Sequence, residues 1–166
     1  MQRFILSFAV CCVLSCQKQT ISTSEIPGEG GVIVYNVNKN TLLTLVNNVR
    51  KSGCMCGTTN MPAVDVVTWN DQLAQAAYAH SNDMQTQNYF SHTAKNGSDP
   101  GTRIRNAGYQ WRTYGENIAL GYRNEQEVMN GWLESEGHCR NIMNPNFREM
   151  GVGREGDYWT QEFGTR

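Results

Sequence analysis

From Leu73 to Met84 the small and apolar side chains keep helical spacing, with Leu73, Ala76, Ala77, His80 and Met84 on one face. From Met150 to Phe163 the period becomes two. Met150, Val152 and Arg154 alternate with glycine, and Trp159, Gln161 and Phe163 lie opposite Tyr158, Thr160 and Glu162 around a Glu155-Gly156-Asp157 turn. A chain carrying both periods, helical first and alternating late, is neither all-α nor all-β. That order predicts an α+β fold with helices packed on a mostly antiparallel sheet. Asn70 is the expected cap of the Leu73–Met84 helix. Other helices are expected from an Asn40 cap to about Ser52, from Asp99-Pro100 to Gly108, and after an Asn124/Glu127 capping box. A short helical turn over residues 138–142 should end before Met143-Asn144-Pro145.

The N-terminus follows different rules. A positive start, Met1-Gln2-Arg3, precedes the uncharged apolar run Phe4 to Leu14, which is too short to span a bilayer and reads as an export signal over residues 1–15. Val13-Leu14-Ser15-Cys16 resembles a bacterial lipobox, which implies cleavage before Cys16, a lipid on its sulfur and membrane attachment; a plain signal peptide is the alternative. Residues 16–31 then form the anchor cysteine and a polar, flexible tether, and residues 32–166 a single domain. The formal net charge of -1 and the scattered basic residues give no electrostatic reason to bind nucleic acid.

With Cys11 and Cys12 lost with the signal and Cys16 assigned to lipid, Cys54, Cys56 and Cys139 remain in an oxidising compartment. A Cys54–Cys56 loop is too small to close without strain, so the expected bridge runs to Cys139. Cys56, followed by the turn-former Gly57, is the preferred partner over Cys54.

His80, His92 and His138 are the only histidines. The HExxH zinc helix, the GxSxG elbow and the GxxxxGK phosphate loop are all absent. What remains is an ordered series: FSH at 90–92, GEN at 115–117, GHCRNIM at 137–143 and YWTQEFG at 158–164. Two imidazoles and a carboxylate in one cleft can hold zinc with an open water position, or can move protons without metal.

In this order and spacing the series resembles the CAP superfamily, also called SCP domains: cysteine-rich secretory proteins, antigen 5 and plant pathogenesis-related 1 proteins, in their small bacterial branch. The resemblance covers about Asn40 to Gly164. It implies an α-β-α sandwich with a central cleft where two histidines and two acids meet, sometimes around zinc. His92 matches the first histidine, Glu116 the first acid and His138 the second histidine, which makes these three the expected catalytic set and His92 and His138 the expected metal ligands. In eukaryotic relatives the second acid lies three residues after a tryptophan. Ser135 holds that place here, flanked by Glu134 and Glu136, which become candidate binding residues together with His80, a core or cleft-rim histidine.

Three functions are compatible with that site. The first is a tethered module, monomeric and extracytoplasmic, either an envelope lipoprotein or secreted, that binds a small lipid, peptide or glycan ligand. A metal-dependent peptidase and a non-catalytic scaffold are the alternatives. Tyr109, Trp111, Tyr114, Tyr122 and Trp132 read as core before groove, and Asn117 and Asn141 as loop-fixing amides.

Overall fold

The computed structural model describes residues 35–166; the export signal, the anchor cysteine Cys16 and the tether expected from the sequence lie outside them. In chain order the elements are α1 (Lys39–Ser52), β1 (Cys54–Cys56), β2 (Thr59–Met61), β3 (Thr68–Trp69), α2 (Asp71–Gln87), α3 (Pro100–Asn106), β4 (Thr113–Leu120), α4 (Glu125–Glu134), α5 (Glu136–Ile142), β5 (Glu149–Glu155) and β6 (Tyr158–Thr165). The fold is α+β, as expected.

Caps set the helix starts. Asn70 accepts from the backbone N–H of Gln72 and Leu73, and Asp99 from that of Thr102 ahead of Pro100. Asn124 accepts from Glu127 N, while the Glu127 carboxylate reaches back to the backbone N–H of Arg123, one residue before the usual capping-box partner. The first helix departs from expectation. Its cap is Asn38, which accepts from Thr41 N, and Asn40 lies inside the helix. Two neighbouring asparagines carry the same capping chemistry, so the local signal could not choose between them.

The main sheet has the order β3-β5-β6-β4, with β3 parallel to β5 and the other pairs antiparallel. The late hairpin is β5–β6. Its partner β4 carries the GEN residues, and sequence periodicity had assigned it no element; the alternation is hidden because the strand is buried over Glu116 to Ala119. Trp159 and Phe163 point to one face, against Leu42 and Val46 of α1, Val128 and Trp132 of α4 and Ile142 of α5. On the other face α2 and α3 pack through Leu73, Ala76 and Ile104, and Met84 meets Ile118 and Tyr158. These layers make the α-β-α sandwich.

The glycines of β5 explain how closely α2 seats. A Cβ at Gly151 would lie 2.1 Å from Ala74 N, and one at Gly153 would lie 2.3 Å from Tyr78 Cα. Only a strand face without side chains lets the helix backbone come this near. The expected bridge joins Cys56 to Cys139 with Cα atoms 5.4 Å apart, tying the β1–β2 hairpin to α5.

Candidate functional site

The register of β4 on β6 puts Glu116 directly opposite Glu162, with both side chains on the α2 face of the sheet. Glu116 accepts two charge-assisted hydrogen bonds of 2.6 Å, one from His92 Nδ1 and one from Arg103 Nη2. Burial alone would raise its carboxyl, but the His92 hydrogen bond and the Arg103 guanidinium outweigh that and hold it below the usual carboxylate range. Glu162 is fully buried. Burial first, then the charge of Glu116, pushes its carboxyl well above the ordinary range. Both Glu162 oxygens are buried without a hydrogen-bond partner, while the two oxygens of Glu116 are taken by His92 and Arg103.

His80 stands behind this pair on α2, also fully buried. Its Nε2 is 2.9 Å from the Ser91 carbonyl, so Nε2 carries the proton and donates there, while Nδ1 has no partner. Burial holds its pKa below the usual histidine value. By fixing Ser91, His80 places the next residue, His92, whose side chain is 52% exposed against 2% for Glu116. Its Nδ1 is committed to Glu116, and the rest of the half-exposed ring borders solvent.

His138 arrives from the opposite face, on α5. Asn117 Nδ2 donates to the His138 carbonyl at 3.2 Å and to Gln161 Oε1 at 2.9 Å, and Asn141 Nδ2 donates to Asn117 Oδ1 at 2.9 Å and to the Glu116 carbonyl at 3.1 Å. Both asparagines fix backbone, as the sequence suggested, and together they clamp α5 against β4. Burial and then the charge of His92 lower the His138 pKa, so it is neutral at pH 7. The charge of His92 is thus felt at His138 across β4, an edge strand of the main sheet.

Beside them lies a groove of about 310 Å³, lined by Phe90, Ile118, Ala119, Leu120, Tyr122, Gly131, Trp132, Ser135 and His138. Phe90 and Leu120 are 48% and 46% exposed, an open apolar rim over buried Trp132. Tyr122 and Trp132 therefore serve core and groove together.

Glu134 and Glu136 do not join this cluster. Both are exposed, and Glu136 is spent on Arg140 at 2.6 Å. The acid that faces Glu116 is Glu162, which the motif order does not single out; a glutamate next to Phe163 in YWTQEFG, on a strand with no solvent face, carries the signal. The residues also do not fit zinc as a three-donor site. Among the described residues the only group of three or more His, Cys, Asp or Glu side chains with donor atoms within 4.8 Å of one another is Cys54, Cys56 and Cys139, and both oxygens of Glu116 are already engaged. Two of those sulfurs form the disulfide, so that group offers no three-thiolate site in the oxidised protein.

Relatives carry the same fold. YkwD of Bacillus subtilis is 42% identical over 96 residues, 57% of this chain and 37% of its own. The membrane protein YlbC of the same organism is 37% identical over 95 residues, 57% of this chain and 28% of its own. The chain thus spans about a third of the length of these curated relatives. A Bacillus anthracis extracellular protein containing an SCP domain superposes with a TM-score of 0.69 at 31% identity, over 76% of this chain and 40% of that one. An outer surface protein of Borrelia burgdorferi shares the fold at a TM-score of 0.66 and 21% identity, over 76% of this chain and 91% of that one. No helix among the described residues is long and apolar enough to cross a membrane. The profile of the Cysteine-rich secretory protein family matches residues 43–163, and with these motifs on this fold the chain belongs to that family, CAP.

Proposed function

We propose that the protein is an extracytoplasmic binding module whose groove along β4 takes a small ligand with an apolar portion and a hydrogen-bonding end, a lipid or an apolar peptide. The observation that carries this reading is the open apolar rim of Phe90 and Leu120 leading to neutral His138. A neutral imidazole donates and accepts, so it suits an amide, ester or hydroxyl better than a bare carboxylate. Walls of Trp132, Tyr122 and Ile118 supply the apolar contact, a setting common to small-molecule sites. The lipid anchor at Cys16 and the 16–31 tether belong to the same reading, supported by the extracellular and outer-surface character of the structural relatives; membrane partition lost in Cys16→Ala checks it.

Titration of the domain with a medium-chain fatty amide and with an apolar tripeptide, followed by tryptophan fluorescence, tests the groove. Saturable binding is expected with one of them, weakened tenfold or more in Leu120→Asp and severalfold in His138→Ala, with both variants folded. No saturable signal with either probe sinks the reading. One observation favours a second reading, hydrolysis: the 2.6 Å His92–Glu116 pair orients Nε2 of His92 to take a proton from water. Probe cleavage abolished by His92→Ala would move the function to that class.

A further inference from the structure

Cys54 and Cys56 stand two residues apart on β1, so the pleat turns both side chains to the same face, toward α5, while Met55 points the other way and is exposed. Cys54 keeps a free thiol. Its sulfur lies 3.6 Å from the sulfur of Cys139 and 3.9 Å from that of Cys56, the two atoms of the disulfide. Cys56 and Cys139 are fully buried, whereas Cys54 is partly exposed. The site therefore holds a nucleophile and a disulfide in contact, with only the nucleophile open to solvent.

We propose that Cys54, Cys56 and Cys139 form an internal thiol–disulfide exchange site in which the bridge migrates between Cys56–Cys139 and Cys54–Cys139. The Cys54 thiol loses its proton to solvent and the thiolate attacks Cys139 Sγ. The Cys54–Cys139 bond forms as the Cys139–Cys56 bond breaks, the bonding pair leaves on Cys56 Sγ, and Cys56 takes up a proton. Nothing is oxidised or reduced overall, and no further reactant is needed. Attack on Cys56 instead would close a bridge across a single intervening residue, which makes Cys139 the productive target. Burial raises the Cys54 thiol, so the thiolate is scarce near neutrality and each isomer persists long enough to be trapped. The consequence is a buried bridge that external thiols reach through Cys54, and a reactive thiol whose position shifts by two residues along β1.

Acid-arrested peptide mapping tests this on the whole oxidised protein. After incubation at mildly alkaline pH the sample is acidified, denatured in acidic maleimide and sequenced by fragmentation across residues 52–58. The label is expected to divide between Cys54 and Cys56, with both bridges to Cys139 recovered. A label confined to Cys54 after incubation long enough for exchange in an unfolded control overturns the proposal. Cys56→Ser gives a second reading: it should fold with a Cys54–Cys139 bridge and no free thiol. A folded Cys56→Ser protein with two free thiols after oxidation overturns it as well; should that variant not fold, the wild-type label alone decides.

Discussion

Arg50 and Glu162 are both fully buried ionisable side chains, one in the helical layer of α1 and one on the sheet face under α2, and their surroundings treat them in opposite ways. Arg50 donates to four backbone carbonyls: Asp65 at 2.7 Å, Ile142 at 2.6 Å, Asn144 at 3.0 Å and Phe147 at 3.2 Å. Desolvation lowers its pKa to about 10, which still leaves it charged at neutral pH. A planar fork with five donors lets one side chain gather the carbonyls that follow α5 and those of the loop before β3. Around Glu162 the demand is unmet. Both of its oxygens, His80 Nδ1 and Arg103 Nε are buried without partners. A fully satisfied buried ion is a fastener, and unsatisfied buried polar atoms beside a cleft are chemistry held ready.

The comparison breaks first at Arg50. Arg50→Met strips four carbonyls of their donor and is expected to cost about 3–5 kcal/mol by urea unfolding, or to prevent folding. Arg50→Lys should recover part of the loss, because an ammonium keeps the charge but cannot reach four acceptors in one plane. Parity between Lys and Arg would mean that charge alone matters.

Glu162→Gln is the smaller and sharper test, read as a slope. The Glu162 pKa is raised in the fold, so its stability contribution is complete below the unfolded carboxyl value of about 4.5 and is lost as pH rises toward the folded value. Glu116 has the opposite sign. Its pKa is lowered, so its contribution is present above that value and fades as pH falls. Wild-type unfolding free energy should therefore decline above the carboxylate range by up to about 1.4 kcal/mol per pH unit, and Glu162→Gln should flatten that limb while keeping the acid one. An unchanged alkaline limb would show that Glu162 is ionised in the fold.

Much of this was legible beforehand, for identifiable reasons. Asn70, Asp99 and Asn124 announced their helices because capping is a local hydrogen bond between near neighbours. His92, Glu116 and the Cys56–Cys139 bridge came from motif order and cysteine counting. What stayed hidden depends on register and on distant backbone. Glu162 becomes the second acid only when β4 pairs with β6, and no local pattern fixes that pairing. Arg50 looks like an ordinary basic residue in the last turn of α1, since its acceptors lie up to 97 residues away. The strand at Glu116 to Ala119 escaped because burial erased its alternation.

The bare face that Gly151 and Gly153 present to α2 bears on how the cluster can respond to an occupant. A helix seated directly on strand backbone has no side-chain cushion to compress, so sliding or rolling it meets main-chain atoms at once. His80 and Glu162 thus belong to an anvil that does not give. His92 sits in the irregular stretch between Asn88, which ends α2 in a left-handed conformation, and the Asp99 cap of α3, and its ring is the exposed member of the group. Any adjustment to what enters the cleft falls to that stretch, and the distance from His92 to Glu116 is where it registers.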